Sequence, residues 1–328
     1  MKYIATLLLP LLIHSAPIVF VHLGKELPDY LPVSIAQARL FHPDWPIFLI
    51  ANQAALEHLP EQLSQCNVQY TPCEELPTDP LHAEFLQRSR LDRSFRDGFW
   101  TYTTERFFYV YELMKQQQFE ELFHLENDVM LYTDLEILLP IFHSQYNGKM
   151  AVTLDNEDRC IPGFLYISTS TPLYELLSFI TERSISRSAN DMMFLARFHN
   201  IFQGRYIDSL PVIMPQYTQE RELKSAHGGH RTDNPTLFHR NIDLFSSLFD
   251  AAALGQYLGG QDPRNGPCEF GFVNESSLFQ TNLLEFEWQQ DQAGRWIPFA
   301  KYQGQLWKIN NLHIHSKQLD QFYSLRNS

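Results

Sequence analysis

Three short apolar runs, each followed by text with helical spacing, restrict this chain to folds built on a buried parallel sheet. The first, PIVFVHLG (17–24), closes on a glycine; a segment with Leu31, Ile35, Ala38 and Phe41 on one helical face follows and stops before Pro43. The second, WPIFLIAN (45–52), leads into another amphipathic stretch, and NVQYTPC (67–73) is the third. Runs of this length without polar alternation are strands covered on both faces, and their alternation with helices predicts an α/β fold with a mostly parallel central sheet flanked by helices.

The pattern continues, less regularly. Residues 74–100, rich in Pro, Asp and Arg, form an excursion. A helix is predicted from about Thr103 to Gln118, with Phe107, Val110, Tyr111 and Met114 on one face. It feeds ELFHLEND (121–128), a strand whose apolar residues give way to three polar ones, and Thr133 caps the next helix. Strands over 149–156 and 163–168, a helix from near Pro172 to Arg183, and a helix opening at Asn190-Asp191 complete the first part. Helical text over 243–258 precedes the loop GGQDPRNGP (259–267), a β-hairpin turning at Ala293-Gly294, and a last strand over 306–315. Without repeats or a low-complexity linker, one domain over 17–328 with a C-terminal β-hairpin region is the simplest organisation.

A formal net charge of −13, with no basic run, argues against nucleic acid and anionic membrane surfaces as bulk partners. Phosphate chemistry on such a chain requires a recruited cation or a few placed basic residues. Residues 1–16 have a basic start, an apolar stretch and Ala16 at the end, and read as a signal peptide or uncleaved hydrophobic leader. Export or a secretory-pathway lumen is expected, with a cytoplasmic protein as the alternative. No later segment approaches the roughly 18 apolar residues of a transmembrane span. Cys66 and Cys73 are close enough to bridge a small loop; free thiols are the other choice.

Ligands in open α/β sheets gather at the carboxyl ends of strands, which is where Glu126-Asn127-Asp128 falls. Two carboxylates one residue apart can share a hard divalent cation, Mn²⁺ or Mg²⁺, and present it to a diphosphate; a polar strand-to-loop transition is the plain alternative. On the last strand, alternation places His313 and His315 on one face with Lys317 beyond them, a set suited to a metal–diphosphate site. Asp191 sits at a helix start, where an N-cap is the plain reading. Asp155 and Asp158 flank the same region. Asp250, Gln256, Asp262 and Arg264 accompany the glycine loop, where they could read sugar hydroxyls. Neither a Walker nor a Rossmann glycine motif follows the first strand, against NTPase and dehydrogenase readings.

The passage from Arg106 through Phe123-His-Leu-Glu-Asn-Asp128 to Asp134-Leu135 resembles the donor-site segment of GT-A glycosyltransferases, in which an Arg-bearing helix precedes a strand ending in a DxD motif. Glu126 departs from that motif. Asn311-Leu-His-Ile-His-Ser-Lys317 resembles the C-terminal His motif of several GT-A families, family 8 among them, although the Gly and Pro-Trp of that version are missing. Pro162-Gly163 and the following strand, then Asn190-Asp191, complete the likeness. It implies a metal-dependent, hexosyltransferase-like enzyme moving a sugar from a nucleotide-diphosphate sugar to a saccharide, protein or lipid hydroxyl. It implies Asp191 as the catalytic carboxylate. Arg106, Glu126, Asp128 and Lys317 would bind the donor, and Glu126, Asp128 and His315 the metal. His315 is preferred because Ser316-Lys317 follow it, with His313 the other choice; for Arg106 the plain alternative is a buried pair with Glu105 or Asp134. Two other classes use the same residues: a GT-A-shaped binding protein without turnover, and a metal-dependent phosphoester hydrolase.

Overall fold

The computed structural model describes residues 16–185 and 189–325. The expected leader, but for Ala16, lies outside the described residues. The strands are β1 (Ile18–His22), β2 (Ile47–Ala51), β3 (Val68–Pro72), β4 (Leu122–Leu125), β5 (Val129–Leu131), β6 (Met150–Asn156), β7 (Arg159–Ile167), β8 (Ile207–Ser209), β9 (Ser247–Leu248), β10 (Glu285–Gln290), β11 (Trp296–Tyr302), β12 (Gln305–Ile309) and β13 (Asn311–His313). The helices are α1 (Leu31–Phe41), α2 (Gln53–Leu56), α3 (Glu61–Ser64), α4 (Pro80–Arg88), α5 (Phe99–Gln117), α6 (Leu135–Gln145), α7 (Ser170–Arg183), α8 (Asp191–Phe202), α9 (Pro215–Glu220), α10 (Ile242–Phe245) and α11 (Ala253–Gly259).

Seven strands form the central sheet in the order β3-β2-β1-β4-β7-β6-β8. The pairs β3·β2, β2·β1, β1·β4 and β6·β8 are parallel, and β7 alone runs against its neighbours β4 and β6. β1, β2 and β4 are buried almost without interruption, as apolar runs flanked by helices must be. Much of the aromatic content is spent beneath β4: Phe123 packs on Phe142 and Tyr166 at 5.3 and 5.0 Å, and Phe142 on Tyr166 at 4.6 Å.

Several local expectations are corrected. α5 starts four residues earlier than predicted, on left-handed Gly98, and ends where Gln118 turns left-handed and Phe119 N–H closes onto Met114 O. The excursion over 74–100 contains α4, whose start is set by Asp79 accepting from Leu81 N–H with Pro80 in the first turn. Asp134, not Thr133, caps α6 by accepting from Glu136 N–H; Thr133 Oγ1 instead accepts from Lys308. The helical text over 243–258 is interrupted, because Ser246 and Ala252 take positive φ and β9 forms between α10 and α11. Cys66 and Cys73 are separate buried thiols.

The last strand also divides. β12 belongs to the sheet β10-β11-β12-β9, which contains the expected hairpin, whereas β13 pairs antiparallel with β5 in a two-stranded sheet. The switch occurs at Asn310, whose N–H donates to Leu248 O while its own carbonyl accepts from Tyr132 N–H. No helix among the described residues is long and apolar enough to cross a membrane.

His82 from α4 lies between two carboxylates of α5, 2.9 Å from Glu112 and 3.3 Å from Glu105. Burial opposes its charge, but the hydrogen bonds to Glu105 and Glu112 prevail and raise its pKa from 6.5 to about 9. A histidine raised in this way stabilises the fold fully below pH 6.5 and loses that contribution as the pH passes about 9. Replacing His82 by Leu leaves two buried carboxylates uncompensated and is expected to cost about 3 kcal/mol at pH 6. Denaturant unfolding at pH 6 and at a pH above 9 should show the gap between variant and parent shrinking; a gap independent of pH would show that His82 is uncharged in the fold.

Candidate functional site

The site forms where β4 ends. After Leu125 the chain turns, with Val129 N–H donating to Glu126 O, and continues as β5. The register of β5 with β13 sets His313 opposite Val129, and Ile314 N–H donates to Asp128 O at 2.9 Å. Three residues of ladder thus carry the C-terminal histidine strand to the acidic tripeptide.

His313 Nε2 lies 3.0 Å from Asp128 Oδ1 and 3.1 Å from Glu126 Oε2. Lys317 Nζ pairs with the other Asp128 oxygen, and Lys317 also stands over the Tyr30 ring, 5.3 Å from its centre. The Arg106 guanidinium spans Glu126 and Asp191, meeting Asp191 Oδ2 at 2.6 Å. Neither Glu105 nor Asp134 is its partner: Glu105 holds His82 and Asp134 caps α6. Asp191 is nearly fully buried with Oδ1 unpartnered. The cap of α8 is Asn190, whose Oδ1 accepts from Met193 N–H, so Asp191 is not occupied as an N-cap.

The charges are mutually dependent. Burial works against ionised Glu126, but Arg106 and His313 hold its carboxyl below the usual range. Asp128 is likewise held well below it by His313 and Lys317 in spite of burial. For His313 burial is outweighed by Asp128 and Glu126, which raise its pKa to about 10. Burial, reinforced by the neighbouring His313 charge, lowers His315 to about 3 and leaves that ring neutral. Asp191 moves upward because burial outweighs Arg106.

Among the described residues, Asp128, His313 and His315 bring ligand atoms within 4.8 Å of one another. Imidazole and carboxylate are ligands for divalent first-row ions, and the proton on His313 Nε2, shared between two carboxylates, marks where a cation would be electrostatically welcome. The donor set therefore fits a divalent metal. Glu126 borders this set and is engaged by Arg106.

The supports were not evident from residue types. Asp250 faces no solvent: Oδ1 accepts from Leu254 N–H, and Oδ2 from Gly255 and His313 N–H. Gln256 hydrogen-bonds His315, and Asp262 is paired with Arg264. Asp155 is buried with Arg159 3.4 Å away, whereas Asp158 lies on the surface near His230. The useful signal for Asp250 was the glycine five residues on, where a side chain would collide with the His313 carbonyl.

No family model and no curated protein matches the sequence. Solved structures do resemble it. Mouse xyloside xylosyltransferase 1, in its apo form, aligns with a TM-score of 0.43 at 12% identity, over 62% of this chain and 89% of that one. The galactosyltransferase LgtC, in complex with donor and acceptor sugar analogs, aligns at 0.42 and 14%, over 68% and 82%. A cytidylyltransferase from Leptospira borgpetersenii aligns at 0.37 and 11%, over 60% and 75%.

Gly163 gives a direct test of the cluster. A methyl group there would stand 2.8 Å from His313 Nδ1 and 3.3 Å from a Val129 methyl, so the imidazole must move. Gly163→Ala is expected to weaken Mn²⁺ binding about tenfold or more in calorimetric titration. An unchanged affinity would remove His313 from any metal site.

Proposed function

We propose that this protein transfers a sugar, hexosyltransferase-like, from a nucleotide-diphosphate sugar to a hydroxyl acceptor with the help of Mn²⁺ or Mg²⁺. The observation that carries the reading is the convergence of three carboxylates, two histidines, Arg106 and Lys317 on one strand end of an otherwise acidic chain. Asp128 with the adjacent His313 imidazole would hold the ion, and Glu126 would border it as ligand or ribose partner. When bound, the ion supplies positive charge to the leaving diphosphate.

The remaining work falls to the chain's own side chains. Arg106 orients Glu126 and Asp191 together, so that the donor end and the sugar end of the site keep a fixed spacing. Lys317 brings a second cation to the side of Asp128 away from His313. As the anomeric carbon–oxygen bond breaks, the electron pair stays on the diphosphate, and fixed cations in a partly dry site lower the cost of that charge. Asp191, buried and with one oxygen unpartnered, is the carboxylate assigned to the sugar or the attacking hydroxyl.

Purified protein incubated with Mn²⁺ and a panel of nucleotide sugars is expected to release nucleoside diphosphate slowly without acceptor and faster with one. Asp128→Asn should lower that turnover about 100-fold or more. Turnover and Mn²⁺ dependence that survive the substitution would overturn the site. Binding of donor without turnover would favour a sugar- or nucleotide-binding protein, and cleavage of unrelated phosphoesters would favour a hydrolase.

A further inference from the structure

The two histidines of the cluster are held differently. His313 presents Nε2 to two carboxylates. His315, whose ring stands edge-on to that of His313 at 4.3 Å, has its Nδ1 2.6 Å from Gln256 Nε2. The Gln256 amide is itself constrained, because its Oε1 accepts from Asn274 Nδ2 at 2.8 Å. Asn274 is constrained in turn, because its Oδ1 accepts from the backbone N–H of Ser276 at 2.9 Å.

A backbone N–H can only donate, so the direction of the whole series follows from Ser276. Asn274 must turn its oxygen to Ser276 and its NH₂ to Gln256. Gln256 must then turn its oxygen to Asn274 and its NH₂ to His315. An amide NH₂ offers no lone pair, so Nδ1 of His315 accepts and carries no proton; the proton of the neutral ring is on Nε2. Gln256 and Asn274 are both buried, at 7% and 9% exposure, which leaves water little room to substitute for either.

We propose that the Ser276–Asn274–Gln256 relay fixes His315 as the Nε2–H tautomer, making it a hydrogen-bond donor to a diphosphate oxygen and not a metal ligand. A ligand nitrogen needs a free lone pair. With Nδ1 of His315 held unprotonated by Gln256, loss of its Nε2 proton would leave an imidazolate. His313, by contrast, can give up its Nε2 proton to a cation and keep the one on Nδ1, which no acceptor engages, so direct ligation falls to Asp128 and His313. Gln256 and Asn274 are positioning residues that act through His315. The choice of a diphosphate oxygen as the acceptor rests on the functional reading above; the tautomer does not.

The test uses the full chain, metal-free and labelled with ¹⁵N-histidine. Long-range ¹H–¹⁵N spectra, with the His315 signals assigned by their loss in His315→Gln, are expected to show Nδ1 unprotonated and Nε2 protonated. Gln256→Glu, which can only accept from the ring, should move the proton to Nδ1. A protonated Nδ1 in the parent protein would overturn the proposal, as would a tautomer unmoved by Gln256→Glu. In calorimetric titrations, His315→Gln should leave Mn²⁺ affinity within about threefold, whereas His313→Gln should weaken it about tenfold or more. Equal losses would return His315 to the ligand set and sink the proposal. Should the parent protein bind no Mn²⁺, the metal-dependent reading fails while the spectra still decide the tautomer.

Discussion

The candidate site depends on a ladder only three residues long. Asn311, Leu312 and His313 pair with Leu131, Met130 and Val129, and this contact joins segments 185 residues apart at the His313–Asp128 hydrogen bond. Closing so long a loop is less costly than intuition suggests, since each doubling of length adds only about 0.6 kcal/mol. The ladder is also reinforced from outside. Ser34 and Gln37 of α1 donate to the carbonyls of Val129 and Leu131, so the partner strand of β13 is braced by a helix of the central sheet. Asp250 braces the other strand by accepting from His313 N–H.

That brace lets an acidic chain concentrate still more negative charge in a dry place. Glu126, Asp128 and Asp191 would repel one another if left alone, and three cations are interleaved with them: Arg106 shared by Glu126 and Asp191, Lys317 on Asp128, and the His313 proton between Glu126 and Asp128. The arrangement places positive charge at one strand end of a chain of net charge −13 without a basic patch. Positive charge is delivered singly, from α5, from the end of β13 and from the segment after it, to places already determined by carboxylates.

Much of this was legible in the sequence because it is local. The strands of the parallel half, the helix bearing Arg106, the acidic tripeptide at the end of β4 and the C-terminal hairpin all announce themselves by apolar runs, periodicity or turn residues. The division of the final strand at Asn310 was not legible, since 306–315 reads as one alternating run and only tertiary pairing assigns its halves to different sheets. Nor was the burial of Asp250 and Gln256. Beside a glycine loop they look like exposed polar residues, yet their hydrogen bonds end on the backbone and on His315. Asp134 and Thr133 illustrate the limit of capping rules: both are good caps, and the hydroxyl was claimed by Lys308.

Asn190 and Asp191 show what such division achieves at the candidate site. Either residue type can cap a helix, and a carboxylate engaged in capping has given one oxygen to its own backbone. Here Asn190 takes the cap, and Asp191, one position into α8, keeps its carboxylate for Arg106 with an oxygen to spare. The same separation recurs across the site: Asp250 satisfies backbone amides, including that of His313, whose ring faces the carboxylates, and Gln256 holds Nδ1 of His315. Groups facing the site are thus oriented by neighbours that do not face it. Packing against buried strand ends then limits their motion, which is the condition for charge stabilisation without reorganisation.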